Sequence, residues 1–281
     1  MLLISKERRI DTQSPVIMGV INLSQESFYE GSRFSSVQKA VDIAGAMLND
    51  GAGILDLGAM STRPGSEEIS PKQELERLIP ALTAIRSAFG SAFISADTYR
   101  ASIAIEAIAN GADMVNDISG GTFDPEMYET IGRLQVPYVL MHTGGKPANM
   151  QENPVYSDVV EEVALFFSSK IEALHKQNVR QIILDPGFGF GKTLEHNFRL
   201  LAGIHIFGDL GFPVLAGMSR KSMINKVLGT KPIEALNGTT ILNTIALLNG
   251  ADILRVHDVK EACECKKLIE AYREFGLDQK I

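Results

Sequence analysis

Eight short apolar runs in this chain each end in a polar or charged residue. In order these are Asn22, Asp56, Asp97, Asn116 with Asp117, His142, Asp185, Ser219 with Arg220, and Arg255 with His257. Any one of them could cap a helix or close an Asx turn. Eight in succession, with both signs of charge, read as one surface built to bind something. Asp97 and Asp185, with the amide of Asn116 and the ammonium of Lys221, offer donors and acceptors to the edge of a heterocycle. A carboxylate suits a guanidine-like N–C–NH2 edge in particular, through two parallel hydrogen bonds. Arg63, within Ser61-Thr62-Arg63-Pro64-Gly65, and the pair Arg220-Lys221, within Ser219-Arg220-Lys221-Ser222, add cations suited to phosphate or carboxylate. Either segment alone resembles a solvated loop, and together they indicate a substrate that carries phosphate.

The loop Asp185-Pro186-Gly187-Phe188-Gly189-Phe190-Gly191-Lys192-Thr193 resembles a phosphate loop but lacks its spacing. Three residues separate Gly187 from Gly191, where a P-loop needs four, and the dinucleotide pattern Gly-x-Gly-x-x-Gly is also missing. ATP and NAD are therefore disfavoured. The alternation of Gly and Phe suggests instead a flexible backbone that brings an aromatic ring over a ligand. A plain glycine-rich turn with one buried Phe is the simpler alternative. No His-Glu-x-x-His, Cys/His cluster or carboxylate triad points to a dedicated transition-metal site. A Mg2+ ion chelated by substrate needs few protein ligands and stays compatible. Cys263 and Cys265 lie two apart in a helical stretch, a poor geometry for a disulfide, and read as unpaired thiols.

These residues need elements to hold them. The apolar runs are Val16–Ile21, Gly53–Leu57, Phe93–Ala96, Met114–Val115, Tyr138–Met141, Ile182–Leu184, Val214–Met218 and Ile253–Val256. Between them lie helical patterns over Val37–Asp50, Lys72–Phe89, Ala101–Asn110, Val159–Gln177, Ile233–Asn249 and Val259–Phe275. A Gly-Ala pair follows three of the helices, at Gly51, Gly111 and Gly250, where glycine stops a helix by adopting positive φ. Strands buried on both faces and alternating with helices imply a parallel sheet. Eight such units in 281 residues predict an α/β chain folded as a single (β/α)8 TIM barrel, with its core over about 15–276 and its active site at the C-terminal ends of the strands. An open doubly wound sheet is the alternative.

A net charge of −7, from 27 basic and 34 acidic residues, argues against nucleic acid or an anionic membrane as partner. The N-terminus Met1-Leu2-Leu3-Ile4-Ser5-Lys6-Glu7-Arg8-Arg9-Ile10 carries no secretory h-region, and no apolar run is long enough to span a bilayer. A cytoplasmic location is expected.

Taken in order from about residue 15 to 265, the motifs resemble dihydropteroate synthases. The resemblance is carried by Met18-Gly19-Val20-Ile21-Asn22, Asp56-Leu57-Gly58 with Ser61–Gly65, Ile94-Ser95-Ala96-Asp97-Thr98, Val115-Asn116-Asp117-Ile118 and Leu140-Met141-His142. The Asp185–Thr193 loop, Ser219–Ser222 and Arg255-Val256-His257-Asp258-Val259 complete it. That family joins (7,8-dihydropterin-6-yl)methyl diphosphate to 4-aminobenzoate, giving 7,8-dihydropteroate, a folate precursor, and pyrophosphate. The resemblance implies that Asp97, Asn116, Met141, Asp185 and Lys221 hold the pterin and that Arg255 stacks on it. It places Asn22, Arg63, Arg255 and His257 at the diphosphate, with Asn22 helping to hold Mg2+. Phe28, Thr62, Pro64, Phe190 and Ser219 would border the aminobenzoate. Asp97, Asp185, Lys221 and Arg63 would carry catalysis, without a protein nucleophile. A homodimer is also implied, with Ile233–Asn249 and Val259–Phe275 as candidate contacts.

The chain departs from the family in its first loop. Gln25, Glu26 and Glu30 stand where Pro, Asp and Asp are usual, and Met60 replaces a usual Glu; the loop Thr143-Gly144-Gly145-Lys146-Pro147 is slightly altered. These changes bear on aminobenzoate selectivity and on the response to sulfonamides. Two other readings stand beside the family's: a methyltransferase moving a methyl group from a reduced folate to a corrinoid protein, which shares the pterin-binding barrel, and a pterin-binding relative without catalysis, motivated by the first-loop changes. The first would not be expected to keep Ser61–Gly65 and Ser219–Ser222, and this chain has both.

Overall fold

A computed structural model of the chain describes residues 1–23, 33–60, 68–145, 150 and 154–276. The chain opens with a hairpin, β1 (Leu2–Ser5) and β2 (Arg8–Asp11), paired antiparallel. Eight parallel strands follow: β3 (Val16–Asn22), β4 (Ile54–Gly58), β5 (Phe93–Asp97), β6 (Met114–Asp117), β7 (Tyr138–Met141), β8 (Ile182–Asp185), β9 (Leu215–Ala216) and β10 (Ile253–Val256). Their order is β8-β7-β6-β5-β4-β3-β10-β9. The seam between β9 and β8 is bridged by Leu184 and Val214, and the N–H of Leu184 donates to the carbonyl of Pro213 at 2.8 Å. The sheet is thus a barrel rather than an open doubly wound sheet.

The helices are α1 (Arg33–Asp50), α2 (Pro71–Ala88), α3 (Ala101–Ala109), α4 (Met127–Leu134), α5 (Val159–Lys176), α6 (Leu194–Ala202), α7 (Ile204–Gly208), α8 (Ser222–Leu228), α9 (Leu236–Leu248) and α10 (Val259–Phe275). Gly51, Gly111 and Gly250 take the positive φ expected of them, at 105°, 114° and 98°. Several expected boundaries shift: the first helix begins at Arg33 rather than Val37, and the fourth barrel strand, β6, extends to Asp117. The seventh strand forms its ladder over two residues only, and the expected helix from Ile233 begins at Leu236, after a 3-10 turn at Pro232–Glu234. Both thiols are free and buried on α10.

The hairpin was not foreseen. Its turn carries Lys6 at φ +53° with none of the Asn-Gly signals that usually mark such a turn. Leu3, fully buried, plugs the N-terminal end of the barrel against Val16, Met18, Ile54, Phe93, Met114, Val139, Ile183, Leu215 and Ile253. A leucine buried there contributes roughly 2 kcal/mol. Arg8 reaches Asp113 at 2.6 Å and fastens the plug.

Strand periodicity then decides the opposite end. Residues two apart share a face. Ile54, Phe93, Met114, Val139, Ile183 and Ile253 face the interior, whereas Leu55, Leu57, Ile94, Ala96, Val115, Leu140, Leu184 and Leu254 pack outward under the helices. Two residues beyond the interior set come Asp56, Ser95, Asn116, Met141, Asp185 and Arg255, so one apolar layer supports a polar one.

Candidate active site

The polar layer is a network of charges. Asp97 (8% exposed), Asn116 (3%) and Asp185 (6%) are buried, and Asp97 pairs with Asn116 in the ladder register. Arg255 crosses the interior to two carboxylates. Its Nε donates to Asp56 Oδ2 and its Nη2 to Asp97 Oδ2, each at 2.6 Å. Burial opposes its charge, but the two aspartates carry its pKa above the ordinary value. A guanidinium held from two sides keeps one plane and presents its face to a ligand.

Asp56, fully buried, also accepts from Asn116 Nδ2 at 3.0 Å. Asp56 Oδ2 is an acceptor toward both Arg255 and Asn116, so the NH2 end of Asn116 turns toward it and the amide oxygen is left as acceptor on the other side. Gly58 leaves room for Asp97, since a Cβ there would stand 3.3 Å from the Asp97 Cβ.

Burial drives the carboxyl of Asp97 up to about 7, with Arg255 opposing and Asp56 adding to the rise. Asp185 is raised by burial against the pull of Lys221, and its Oδ1 accepts from the N–H of Gly187 at 2.7 Å. Lys221 precedes α8 and donates to the carbonyl of Phe188 at 2.5 Å. Its ammonium stands 4.8 Å from the centre of the Phe190 ring. Burial pushes it down to about 8, against the attraction of Asp185. Two carboxyls pushed up and one ammonium pushed down mark this end as a site poised for a polar ligand.

Met141 pairs with Asp185 in register and packs with Tyr99, Ile118, Met60, Phe123 and Phe190 as an apolar wall beside the charges. Met60, standing where a carboxylate is usual, belongs to that wall. At the rim, Asn22 is exposed at the end of β3. Ser219 Oγ lies 3.0 Å from Nδ1 of His257 and accepts from the backbone N–H of His257 at 3.2 Å. Although the His257 residue is exposed, the walls around its ring, with Arg255 beside it, push the imidazole down to about 4.

Three strand-end residues turn away from the mouth. Asp117 points outward and accepts from the Tyr138 hydroxyl at 2.7 Å and from the N–H groups of Ser119 and Gly121. Arg220, at φ +57°, forks onto both oxygens of Asp258 at 2.9 and 2.7 Å, so this cation is satisfied by the protein and not by substrate. His142 meets Lys192. The glycine-rich loop is pinned rather than flexible: Phe188 is fully buried, Asn197 accepts from the N–H of Gly189 at 2.6 Å, and Tyr156 donates to the carbonyl of Gly191 at 3.0 Å.

Phe28, Thr62, Arg63 and Pro64 lie outside the described residues, as do Gln25, Glu26 and Glu30. The chain that resumes at Glu68 is tied beside Asp97. Tyr99 donates to Glu68 at 2.5 Å, and Arg100 donates to Glu68 and to the carbonyl of Ile69, each at 2.8 Å. Arg100 also pairs with the fully buried Glu74.

A family model described as pterin binding enzyme matches residues 18–257. The chain belongs to the dihydropteroate synthase family of pterin-binding enzymes. A dihydropteroate synthase from Synechocystis sp. is 44% identical over 258 residues, covering 91% of this chain and 89% of the relative. The Yersinia pestis dihydropteroate synthase, solved with a sulfonamide drug complex, superposes with a TM-score of 0.92 at 37% identity, over 98% of this chain and all (100%) of the other. The Xanthomonas albilineans dihydropteroate synthase, solved with 4-aminobenzoic acid, gives 0.91 at 33% identity, over 97% of this chain and 98% of the other. Membership removes the corrinoid methyltransferase reading.

Asp56 and Lys192 stand in the sequence motifs but receive no site role there. The period of two, extended upward from Ile54, puts Asp56 on the interior face. Lys192 reads only as part of a loop that resembles a phosphate loop without its spacing, because its partner His142 lies far along the chain.

Proposed function

We propose that this chain condenses (7,8-dihydropterin-6-yl)methyl diphosphate with 4-aminobenzoate, releasing pyrophosphate and forming 7,8-dihydropteroate. The observation that carries this reading is the Arg255 plane, held by Asp56 and Asp97 next to the Asn116, Asp185 and Lys221 groups. A flat cation face beside a donor and acceptor edge suits a pterin. Asp97 and Asp185 take the guanidine-like edge, Asn116 and Lys221 the remaining polar atoms, and Met141 packs against the ring.

Asn22, Arg63, Arg255 and His257 take the diphosphate. Among the described residues no group of three or more His, Cys, Asp or Glu could hold a metal. The exposed amide of Asn22 fits the lighter demand of Mg2+ chelated mainly by the diphosphate, where the ion adds positive charge beside the leaving group. Phe28, Thr62, Pro64, Phe190 and Ser219 border the aminobenzoate. A sulfonamide, as an isostere of 4-aminobenzoate, is the expected competitor there.

Chemistry begins with heterolysis of the C–O bond to the diphosphate. The bonding pair leaves with pyrophosphate, and the pterin methylene becomes a cation stabilised by the buried carboxylates. The amine nitrogen attacks that carbon and then loses a proton. Asp97, Asp185, Lys221 and Arg63 serve this step electrostatically, with no covalent enzyme intermediate.

The enzyme acts as a homodimer in the cytoplasm. Exposed Ile241, Ile245 and Leu248 form a stripe at i, i+4 and i+7 on α9, and Leu268, Tyr272 and Phe275 repeat that spacing on α10. Adjacent apolar stripes of this kind suit a self-complementary interface. Free buried thiols suit a reducing compartment, and among the described residues no helix is long and apolar enough to cross a membrane.

Incubation with the pterin diphosphate, Mg2+ and 4-aminobenzoate tests the reading. Stoichiometric dihydropteroate and pyrophosphate are expected. Tight pterin binding without product would instead favour the non-catalytic relative.

A further inference from the structure

Lys192 is 4% exposed, yet none of the groups assigned above to substrate explains it. Its ammonium lies 3.0 Å from Nδ1 of His142, 3.3 Å from the His142 carbonyl and 3.0 Å from the Phe190 carbonyl. All three are acceptors when the imidazole is neutral, and burial beside this ammonium pushes His142 down to about 3; burial also pulls the ammonium itself down to about 7, with Asp185 opposing. Nδ1 therefore keeps its lone pair and Nε2 its proton. The approach depends on Gly187, at φ +70°, because a Cβ there would meet the His142 carbonyl oxygen at 2.0 Å. Lys221 grips the same loop two residues earlier, at the Phe188 carbonyl. Two lysines thus hold alternate carbonyls, one for the buried Phe188 and one for the half-buried Phe190, whose ring Lys221 faces.

We propose that Lys192 is a positioning residue for the second substrate: its buried ammonium ties the Phe190 carbonyl to His142 at the end of β7 and so fixes the Phe190 ring as a wall of the aminobenzoate subsite. The proposal rests on the assignment of Phe190 to that subsite. Lys192 touches neither substrate. Its effect is to keep one aromatic ring in place: its hydrogen bonds go to His142 and the Phe190 carbonyl and to none of the pterin groups on β5, β6, β7, β8 and β10 or to Lys221, although its charge is felt at Asp185, so its loss falls chiefly on the second substrate.

The test compares Lys192→Met with Phe190→Ala, using steady-state kinetics for both substrates, calorimetric titration of the pterin diphosphate with Mg2+, and thermal unfolding. Lys192→Met should raise KM for 4-aminobenzoate by about tenfold or more, the scale of a lost charge-assisted hydrogen bond. Pterin diphosphate affinity should stay within about twofold. Where Met leaves no native melt, Lys192→Gln, which keeps a neutral donor, replaces it under the same criteria. An unchanged aminobenzoate KM, or equal losses for both substrates in a folded protein, would overturn the proposal. If Phe190→Ala leaves the aminobenzoate KM unchanged, the assignment of Phe190 fails and the proposal falls with it. If Phe190→Ala raises it and Lys192→Met does not, only the proposal fails.

Discussion

Arg255 Nε donates to Asp56 Oδ2 at 2.6 Å, joining β10 to β4 over the intervening β3. The same carboxylate oxygen accepts from Asn116 on β6, so one fully buried aspartate orients two groups of the proposed pterin pocket. Asp56→Ala is therefore expected to lower kcat/KM for the pterin diphosphate by at least about tenfold. Breaking a buried ion pair should also cost about 3 kcal/mol of stability. Urea unfolding and steady-state kinetics measure the two effects. Unchanged pterin kinetics would show that Asn116 and Arg255 keep their orientation without it.

Asp97 should matter more to turnover and should set its pH dependence. Burial raises its carboxyl to about 7, and the proposed mechanism needs it ionised beside a cationic pterin. Activity (kcat/KM) should then rise with pH toward a plateau above about 7, with Asp185, also raised, contributing to the same limb. Asp97→Asn should flatten that limb, and Asp97→Ala should lower kcat at least about tenfold. A loss under about threefold in Asp97→Ala would remove Asp97 from the assigned set.

His142 makes acid stability a further handle. Its folded pKa, about 3, lies below the usual 6.5. The unfolded state therefore binds more protons between these values, and stability present above pH 6.5 is lost as pH falls toward 3. Urea midpoints measured from pH 7 to 4 should decline more steeply for the native chain than for His142→Gln. Parallel declines would show that other groups dominate acid unfolding.

The apolar stripes on α9 and α10 predict the assembly. Leu268→Glu places a charge on a residue 72% exposed, so the fold should survive while association weakens. Sedimentation equilibrium should find a dimer for the native chain and monomer for the variant. A dimer of unchanged affinity in Leu268→Glu would move the interface elsewhere.

Much of this protein was legible in one dimension. The Gly-Ala repeat, the apolar runs and the polar residue after each run follow from backbone rules that act locally, through helix stops, buried strands and the alternation of faces. Those rules carried the barrel and, with the motif resemblance, brought Asp97, Asn116, Asp185, Lys221 and Arg255 forward as candidates. They were silent where a partner lies far along the chain. Arg220 read as a cation awaiting substrate until Asp258, 38 residues on, was seen to accept its fork. Lys192 was only one residue of a failed phosphate-loop pattern until its loop folded onto His142, 50 residues back. Whether a charge faces substrate or protein depends on which distant groups surround it. The sequence by itself thus determined the barrel and which residue types line its mouth, and only the tertiary structure decided which of those charges remain for a ligand.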